Sequence, residues 1–509
     1  MKQGFRCVNR SYLLLAFFRR AALFLAGATS ALSQSASISS AGRTPAEPTP
    51  GALDEVVCAH NAAQSYAVYL PSNYTTDRAW PIVYCCDAGA RGRLPVERYR
   101  RAAELYGYIV VGSNNSRNQL EGSKVEAAID SLLRDTRRRF RLDARRQYPA
   151  GCSGGARVAC AVATTLDFAG IIASSGGFPD SVIPPKVTPA FFGTAGREDF
   201  NYGEMKQVDA ALAAQHARHF LAIFEGGHEW LPEPLTVEAL EWMELQAMRS
   251  GLRPRDEALI GNLLRKRLQA VAALQNAGEA YVGYLAVTAD FAGLADVSES
   301  TGKAAALQDT KPVRQYFKDE KNADQQEQSW RERIEGAVET AKNWTPFQGQ
   351  RDGTSPRRQL FVANNSMGGM NDEASQDFAR GSRTEEWPAA DFDQAGDPDR
   401  YATLRDVVSK VTRQSKTNVA ARRTLSGAFG SWTENGSYQM EKKDYAAAAE
   451  CFEVAAIIRP ESPGPHVALT RAYAQLGDKR KARQSLQTAI AKGFNDAELI
   501  KRLRDLVGP

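Results

Sequence analysis

Residues 151–155 read Gly-Cys-Ser-Gly-Gly, and this stretch decides the fold that we expect. Residues 146–150 lead into it as a strand would, and the small, mostly apolar residues 156–163 after it suit the start of a helix. A G-x-S-x-G pattern between a strand and a helix is typical of a sharp turn that exposes the serine hydroxyl at the strand end. Ser153 is therefore the first candidate for chemistry. The alternative is a glycine-rich turn without activity.

Strand and helix patterns alternate on both sides of this turn, over residues 54–250. The apolar runs at 80–86 and 108–112 are typical of buried parallel strands, and residues 124–138 have the periodicity of an amphipathic helix. Such alternation predicts a mostly parallel sheet that is covered by helices on both faces. The expected fold class is α/β.

A serine hydroxyl needs a histidine to accept its proton and a carboxylate to orient that histidine. The chain has five histidines, and only His228 follows a predicted strand, in Gly226-Gly227-His228-Glu229-Trp230. The carboxylate should follow the preceding strand, where the loop offers Glu198 and Asp199. We favour Asp199 because the shorter side chain is the commoner orienting group, and Glu198 stays the alternative.

An ester carbonyl under attack also needs hydrogen-bond donors for its oxyanion. The first expected donor is the backbone N–H of Gly154, the residue after the serine. The second should come from the loop after the third strand, Asp87-Ala88-Gly89-Ala90-Arg91-Gly92, where either Ala88 or Gly89 could donate.

Residues 64–250 resemble the α/β-hydrolases of the esterase and polyhydroxybutyrate-depolymerase-like group. The resemblance rests on Tyr69-Leu70-Pro71-Ser72-Asn73-Tyr74, Leu142-Asp143, Arg145-Arg146, the G-x-S-x-G turn, Asp199 and Gly227-His228-Glu229-Trp230. It implies a secreted serine hydrolase of carboxylic esters, including feruloyl and acetyl esters on plant polysaccharides, that needs neither a metal nor another cofactor. Such relatives usually carry His-Gly at the oxyanion loop, where this chain has Asp87-Ala88-Gly89.

The second half of the chain lacks strand patterns. Residues 251–343 show helical periodicity, which includes the stretches 254–291 and 311–342, and residues 344–399 form a polar loop with a composition typical of disorder. Residues 400–509 are predicted to be helical and to end in tetratricopeptide-like repeats. The positions that fit a 34-residue unit are Trp432, Gly436, Ala448, Phe452, Ala455 and Pro460. Repeats of this kind bind proteins, so a protein partner is a further expectation.

The N-terminus has the pattern of a signal peptide over residues 1–33, followed by a linker over 34–53. We therefore expect export to the periplasm or the medium without stable membrane insertion, an uncleaved anchor being the alternative. The net charge of +5 is small for 509 residues and does not indicate nucleic-acid binding. No cysteine pair has C-x-x-C spacing, so no zinc site is expected, and disulfide pairing stays open.

These patterns together predict an exported serine esterase that works through an acyl-enzyme intermediate. A first alternative is a hydrolase-like domain that has lost activity and serves a tetratricopeptide scaffold. A serine peptidase is a weaker alternative, because the same three side chains can cleave amides, and an acyl transferase is conceivable on the same scaffold.

Overall fold

Runs of β-branched and aromatic residues form a single eight-stranded sheet in the first half of the chain. The computed structural model describes residues 47–179, 189–343 and 400–508. The strands are β1 (Leu53–Cys58), β2 (Asn61–Tyr69), β3 (Trp80–Asp87), β4 (Ile109–Ser113), β5 (Leu142–Cys152), β6 (Gly170–Ser174), β7 (Ala190–Gly196) and β8 (His219–Phe224).

The strand order is β1-β2-β4-β3-β5-β6-β7-β8. The β1–β2 and β2–β4 pairs are antiparallel, and all later pairs are parallel. This order, with helices crossing between parallel strands, is that of the α/β-hydrolase fold, as the sequence predicts. The carboxyl ends of β5, β7 and β8 lie at one edge of the sheet, because these strands run in the same direction.

Two hydrophobic cores cover the two faces of the sheet. Ile82 and Tyr84 belong to one core and Val83 and Cys85 to the other, as expected of a strand whose successive side chains point to opposite faces. Helices α2 (Gly122–Arg139), α3 (Gly154–Thr165) and α4 (Tyr202–Ala214) pack on the first face, and α1 (Arg93–Tyr106) and α5 (Glu233–Arg249) pack on the second.

Helix α5 also begins the helical region, because its last turns pack against the helices that follow. These are α6 (Glu257–Ala272), α7 (Ala277–Phe291), α8 (Ser298–Gln308) and α9 (Lys311–Lys342). The helical periodicity over 254–291 corresponds to two helices, α6 and α7. The Asn276 side chain accepts hydrogen bonds from the N–H groups of Gly278 and Glu279, and this cap begins a second helix at Ala277.

The C-terminal region consists of helices, as predicted. They are α10 (Ala402–Ser415), α11 (Val419–Glu441), α12 (Tyr445–Ile458), α13 (Gly464–Gln475), α14 (Lys479–Ala491) and α15 (Ala497–Val507). Between α11 and α12 the space above Gly436 is filled by the Phe452 ring, since a Cβ at 436 would lie 2.6 Å from that ring. The need for a small residue at this offset is why the repeat pattern has glycine there.

The described residues up to 332 and from 410 onward form one compact unit, and the described residues 333–343 and 400–409 belong to a second. The predicted signal peptide (1–33), most of the linker (34–53) and the polar loop (344–399) lie outside the described residues. The six described cysteines are buried, and none of them forms a disulfide. Within the described ranges, no helix has the length and apolar character needed to cross a bilayer.

Candidate active site

Ser153 lies in the turn between β5 and α3, with a backbone φ of 57° and ψ of −121°. A non-glycine residue with this φ is strained, so the surrounding structure must hold the turn. A Cβ on Gly151 would lie 2.1 Å from the carbonyl oxygen of Gly155, and one on Gly155 would lie 1.9 Å from that of Cys86. Both positions therefore require glycine, and the sharp turn that the sequence predicts is present.

The structure brings Ser153, His228 and Asp199 into one chain of hydrogen bonds. His228 Nε2 lies 2.8 Å from Ser153 Oγ, and His228 Nδ1 lies 2.8 Å from Asp199 Oδ1. The three residues come from the ends of β5, β7 and β8, which converge at the same sheet edge. The Asp199 side chain is fully buried, and that of His228 is 19% exposed. A hydroxyl, an imidazole and a carboxylate in this order match the geometry of a Ser-His-Asp site.

The two acidic residues of the 198–199 pair have different surroundings. Asp199 Oδ1 accepts a second hydrogen bond from the backbone N–H of Asn201 at 2.8 Å. Its Oδ2 accepts none from the described residues, so His228 is the principal partner of this buried charge. The Glu198 carboxylate is half-exposed and pairs instead with Arg422, 2.8 Å away. Of the two candidates, only Asp199 contacts the imidazole.

Asp87, which stands where the resembling family has histidine, organises the loop after β3. Its carboxylate accepts hydrogen bonds from the Gly89 N–H at 2.8 Å, from Arg91 Nε at 2.8 Å and from Trp230 Nε1 at 2.7 Å. Burial alone would raise the pKa of the Asp87 carboxyl, but these hydrogen bonds outweigh it and hold the pKa below its ordinary value. Through Trp230, two residues after His228, Asp87 anchors the loop that carries the imidazole.

The same contacts bear on which backbone N–H groups can donate to the oxyanion. Gly154 is the first residue of α3, where an unpaired N–H and the positive end of the helix dipole favour negative charge. The Gly89 N–H already donates to Asp87 Oδ1 at 2.8 Å, so in this arrangement it is not available to an oxyanion. Ala88 is what remains of the two candidates.

Two residues near Ser153 are part of the site but were not predicted from the sequence. The Asn118 amide packs directly on Gly154, where an added Cβ would lie 1.7 Å from Asn118 Oδ1. The signal was the polar run 114–118 directly after β4, at the edge of the sheet where Ser153 lies. The Phe200 ring stacks on the His228 imidazole, with centroids 3.9 Å apart and an interplanar angle of 23°. No sequence pattern indicated this stack.

Cys152, next to Ser153, does not compete as a nucleophile. Its side chain is buried, and this burial raises the pKa of its thiol far above the ordinary value, with the nearby carboxylates of Asp87 and Asp199 adding to the shift. A thiol reacts as its thiolate, which this environment disfavours. Within the described ranges, no group of three or more His, Cys, Asp or Glu side chains is arranged to hold a metal ion.

Residues 439–506 match the family model of the tetratricopeptide repeat. The C-terminal helices are tetratricopeptide repeats. The match begins near the end of α11 and lies within the 400–509 region, for which the sequence predicts helices that end in such repeats. No curated protein sequence matches the chain.

Several solved hydrolases are similar to part of the chain. An S-formylglutathione hydrolase from Staphylococcus aureus is 17% identical, covering 39% of this chain and 99% of its own, with a TM-score of 0.33. A ferulic acid esterase is 16% identical over 38% of this chain and 96% of its own, with a TM-score of 0.31. An esterase from Thermogutta terrifontis is 14% identical over 40% of this chain and 96% of its own, with a TM-score of 0.32. Nothing about activity follows from likeness at this level.

Proposed function

We propose that the protein is a serine hydrolase that cleaves carboxylic esters, with Ser153 as nucleophile, His228 as general base and acid, and Asp199 as the orienting carboxylate. The observation that supports this most directly is the unbroken chain of contacts from Ser153 Oγ through His228 to Asp199, each 2.8 Å long. The strained backbone at Ser153 adds support, because such strain is concentrated at functional sites.

In the proposed reaction, Ser153 Oγ attacks the ester carbonyl carbon while its proton passes to His228 Nε2. The tetrahedral intermediate collapses, its bond to the alcohol oxygen breaks, and His228 returns the proton to the departing alkoxide. A water molecule then attacks the acyl carbon while His228 accepts its proton. The bond from the acyl carbon to Ser153 Oγ breaks, His228 passes the proton to Ser153 Oγ, and the acid leaves. The backbone N–H groups of Gly154 and Ala88 are the proposed donors to the oxyanion in both halves.

Asp199 has two tasks in this scheme. Its hydrogen bond to Nδ1 keeps the proton on that nitrogen, which leaves Nε2 free to accept the proton of Ser153. It also stabilises the imidazolium that forms, and its burial strengthens that interaction because water does not screen it. This buried carboxylate favours an ester-cleaving site over a drifted, inactive one.

The alternatives give different expectations at the same site. The presence of Asp87 in place of histidine is the argument for an inactive hydrolase-like scaffold. However, the Asp87 carboxylate accepts hydrogen bonds from Gly89, Arg91 and Trp230 and so holds the loop of His228 in place. A peptidase would use the same side chains on an amide.

The proposal also includes export, a polymer-linked or small ester as substrate, and a protein partner for the repeats. Export is supported only by residues 1–33, and the partner by the tetratricopeptide match.

A fluorophosphonate probe with mass-spectrometric mapping tests the proposal. We expect labelling of Ser153 in the parent protein, no labelling of Ser153→Ala, and a loss of p-nitrophenyl acetate turnover in that variant of at least about 10⁴-fold. Cys152→Ala is the matched neighbour and should label as the parent does. A folded parent that is not labelled, or a Ser153→Ala variant that turns over the ester at the parent rate, would contradict the mechanism.

The acyl and alcohol groups are tested with a substrate panel. Acetyl, butyryl and feruloyl esters are compared with peptide amides on the purified protein. Hydrolysis of esters with at most trace cleavage of amides is the expected result. Preferential amide cleavage would favour the peptidase alternative and would contradict the esterase proposal.

A further inference from the structure

Helix α11 lies outside the hydrolase domain in sequence, yet one of its faces contacts the sheet edge that carries Ser153. The contacts recur at helical spacing. Arg423 donates to the carbonyl oxygen of Arg197 at 3.1 Å, the carbonyl oxygen of Glu434 accepts from Gln119 Nε2 at 3.3 Å, and Glu441 pairs with Arg117 at 3.1 Å. The helix therefore runs from the loop that carries Asp199 to the loop that packs on Gly154.

Between these ends, α11 presents bare backbone to Phe200. A Cβ on Gly427 would lie 2.9 Å from Phe200 Cβ, and a Cβ on Gly430 would lie 3.6 Å from Phe200 Cε1. Phe200 is the aromatic residue that stacks on the imidazole of His228 at 3.9 Å. Its side chain thus contacts both α11 and His228.

The backbone of Phe200 is held separately from its ring. Arg331, on α9, donates to the carbonyl oxygen of Phe200 at 2.7 Å. The side chain of Asn201, the next residue, donates to the carbonyl oxygen of Ser175 at 2.8 Å. With the backbone fixed in this way, the ring position depends on what occupies the space beside it, and that neighbour is the glycine surface of α11.

The stack restrains rocking of the His228 ring, a motion that its hydrogen bonds resist only weakly. The bonds to Asp199 and Ser153 are made at the two ring nitrogens, whose N–H bond and lone pair are directed in the plane of an imidazole. They resist displacement along the line that joins the nitrogens, but they oppose rocking of the ring about that line only weakly. A parallel aromatic ring in van der Waals contact blocks this rocking on one side.

We propose that α11 is a positioning element of the ester-cleaving site, and that it holds the His228 imidazole in place through Phe200. The kinetic part of this inference rests on the proposed function, whereas the geometric part concerns His228 whether or not the protein turns over an ester. Phe200 is a positioning residue, because its phenyl ring carries no group that can transfer a proton or attack an ester. Gly427 serves the same end by letting the helix backbone reach Phe200.

The geometric part is tested by NMR on full-length protein labelled with ¹⁵N-histidine. The chain has only five histidines, and the ring signals of His228 are assigned from their loss in His228→Gln. Phe200→Leu removes the stack, and Gly427→Ala pushes a methyl group against Phe200 Cβ. Both should move the His228 ring signals, while Gly261→Ala, a helix glycine with nothing within 4 Å, should not.

The kinetic part is tested with p-nitrophenyl acetate. Phe200→Leu should lower kcat by about 10-fold or more, because small misplacements of a catalytic group are costly, and Phe200→Tyr should restore the parent value since it keeps the ring. Fluorophosphonate labelling of the parent provides the separate check on the proposed function.

Unchanged His228 signals in both Phe200→Leu and Gly427→Ala would overturn the inference. So would an unchanged kcat in Phe200→Leu alongside an active parent. If the parent neither labels nor turns over ester, the proposed function fails, and the NMR comparison still decides whether α11 positions His228.

Discussion

At the scale of single residues, the role of each polar side chain at the site depends on its burial and on its hydrogen-bond partners. Asp199 and Glu198 are adjacent in sequence and chemically alike, but one is buried against His228 and the other is half-exposed against Arg422. Asp87 shows the same dependence. Its charge would be costly in the sheet edge without the hydrogen bonds from Gly89, Arg91 and Trp230, and with them it fixes the loops on both sides of the serine.

The adjacent acids provide a matched test of the orienting carboxylate. In Asp199→Asn the amide can donate to His228 Nδ1 and so place the ring proton on Nε2, which then cannot accept the proton of Ser153. We expect kcat to fall by about 10⁴-fold, as in the Ser-His-Asp template. Glu198→Gln loses only a surface pair and should keep nearly the parent kcat. The reverse ranking, measured with a nitrophenyl ester, would assign the role to Glu198.

At the scale of elements, the backbone is closely packed where β5 turns into α3 around Ser153. Helix α3 begins so close to β3 that the space at Gly155 ends at the carbonyl oxygen of Cys86. Backbone cannot yield to an added methyl group as a flexible side chain can. The strained φ of Ser153 persists because the strand and the helix on either side of it are fixed by the two cores.

Gly155→Ala should therefore move α3 away from β3. We expect a loss of at least about 2 kcal/mol in the free energy of unfolding, together with loss of fluorophosphonate labelling, since overpacking at a rigid site forces the backbone to shift. Gly203→Ala is the control, because nothing lies within 4 Å of its added Cβ in helix α4 and alanine is the better helix former. Urea unfolding of the two variants checks this, and equal stability would contradict it.

At the scale of the whole molecule, three parts of the chain meet near the site. Arg423 of α11 pairs with Glu327 of α9 at 2.7 Å and also donates to the carbonyl oxygen of Arg197 in the hydrolase domain. Both charged side chains are buried, with 3% and 7% exposure. Helix α11 continues from this contact to the first repeat, so one helix links the sheet edge to the tetratricopeptide region.

Removing this buried pair should destabilise the molecule as a whole. Arg423→Met leaves the buried Glu327 carboxylate with the more exposed Arg331 as its remaining charged partner, and should lower the free energy of unfolding by about 3 kcal/mol because loss of a buried partner leaves that charge poorly compensated. The double variant with Glu327→Gln should recover part of this loss. Arg422→Gln, the neighbouring exposed pair with Glu198, should change it by no more than about 1 kcal/mol. Similar losses in Arg423→Met and Arg422→Gln, measured by urea unfolding, would contradict the assignment.

The sequence by itself determined the elements and their kind. The turn at 151–155 could be predicted because the G-x-S-x-G pattern between a strand and a helix is visible in a short stretch of sequence. The alternation of apolar runs with amphipathic helices left few arrangements besides a covered parallel sheet. His228 could be found since only five histidines exist and one follows a strand. The repeat spacing likewise reflects packing between neighbouring helices, as with Gly436 and Phe452.

Only the tertiary structure decided what lies across the site from distant parts of the chain. The choice of Asp199 over Glu198, the occupied N–H of Gly89, and the contacts of Asn118 and of α11 depend on residues far apart in sequence. Local patterns record the period and the polarity of an element, but not which of its polar groups will be desolvated or against which partner. That outcome is set by the packing of one element on another, and it exists only once the chain has folded.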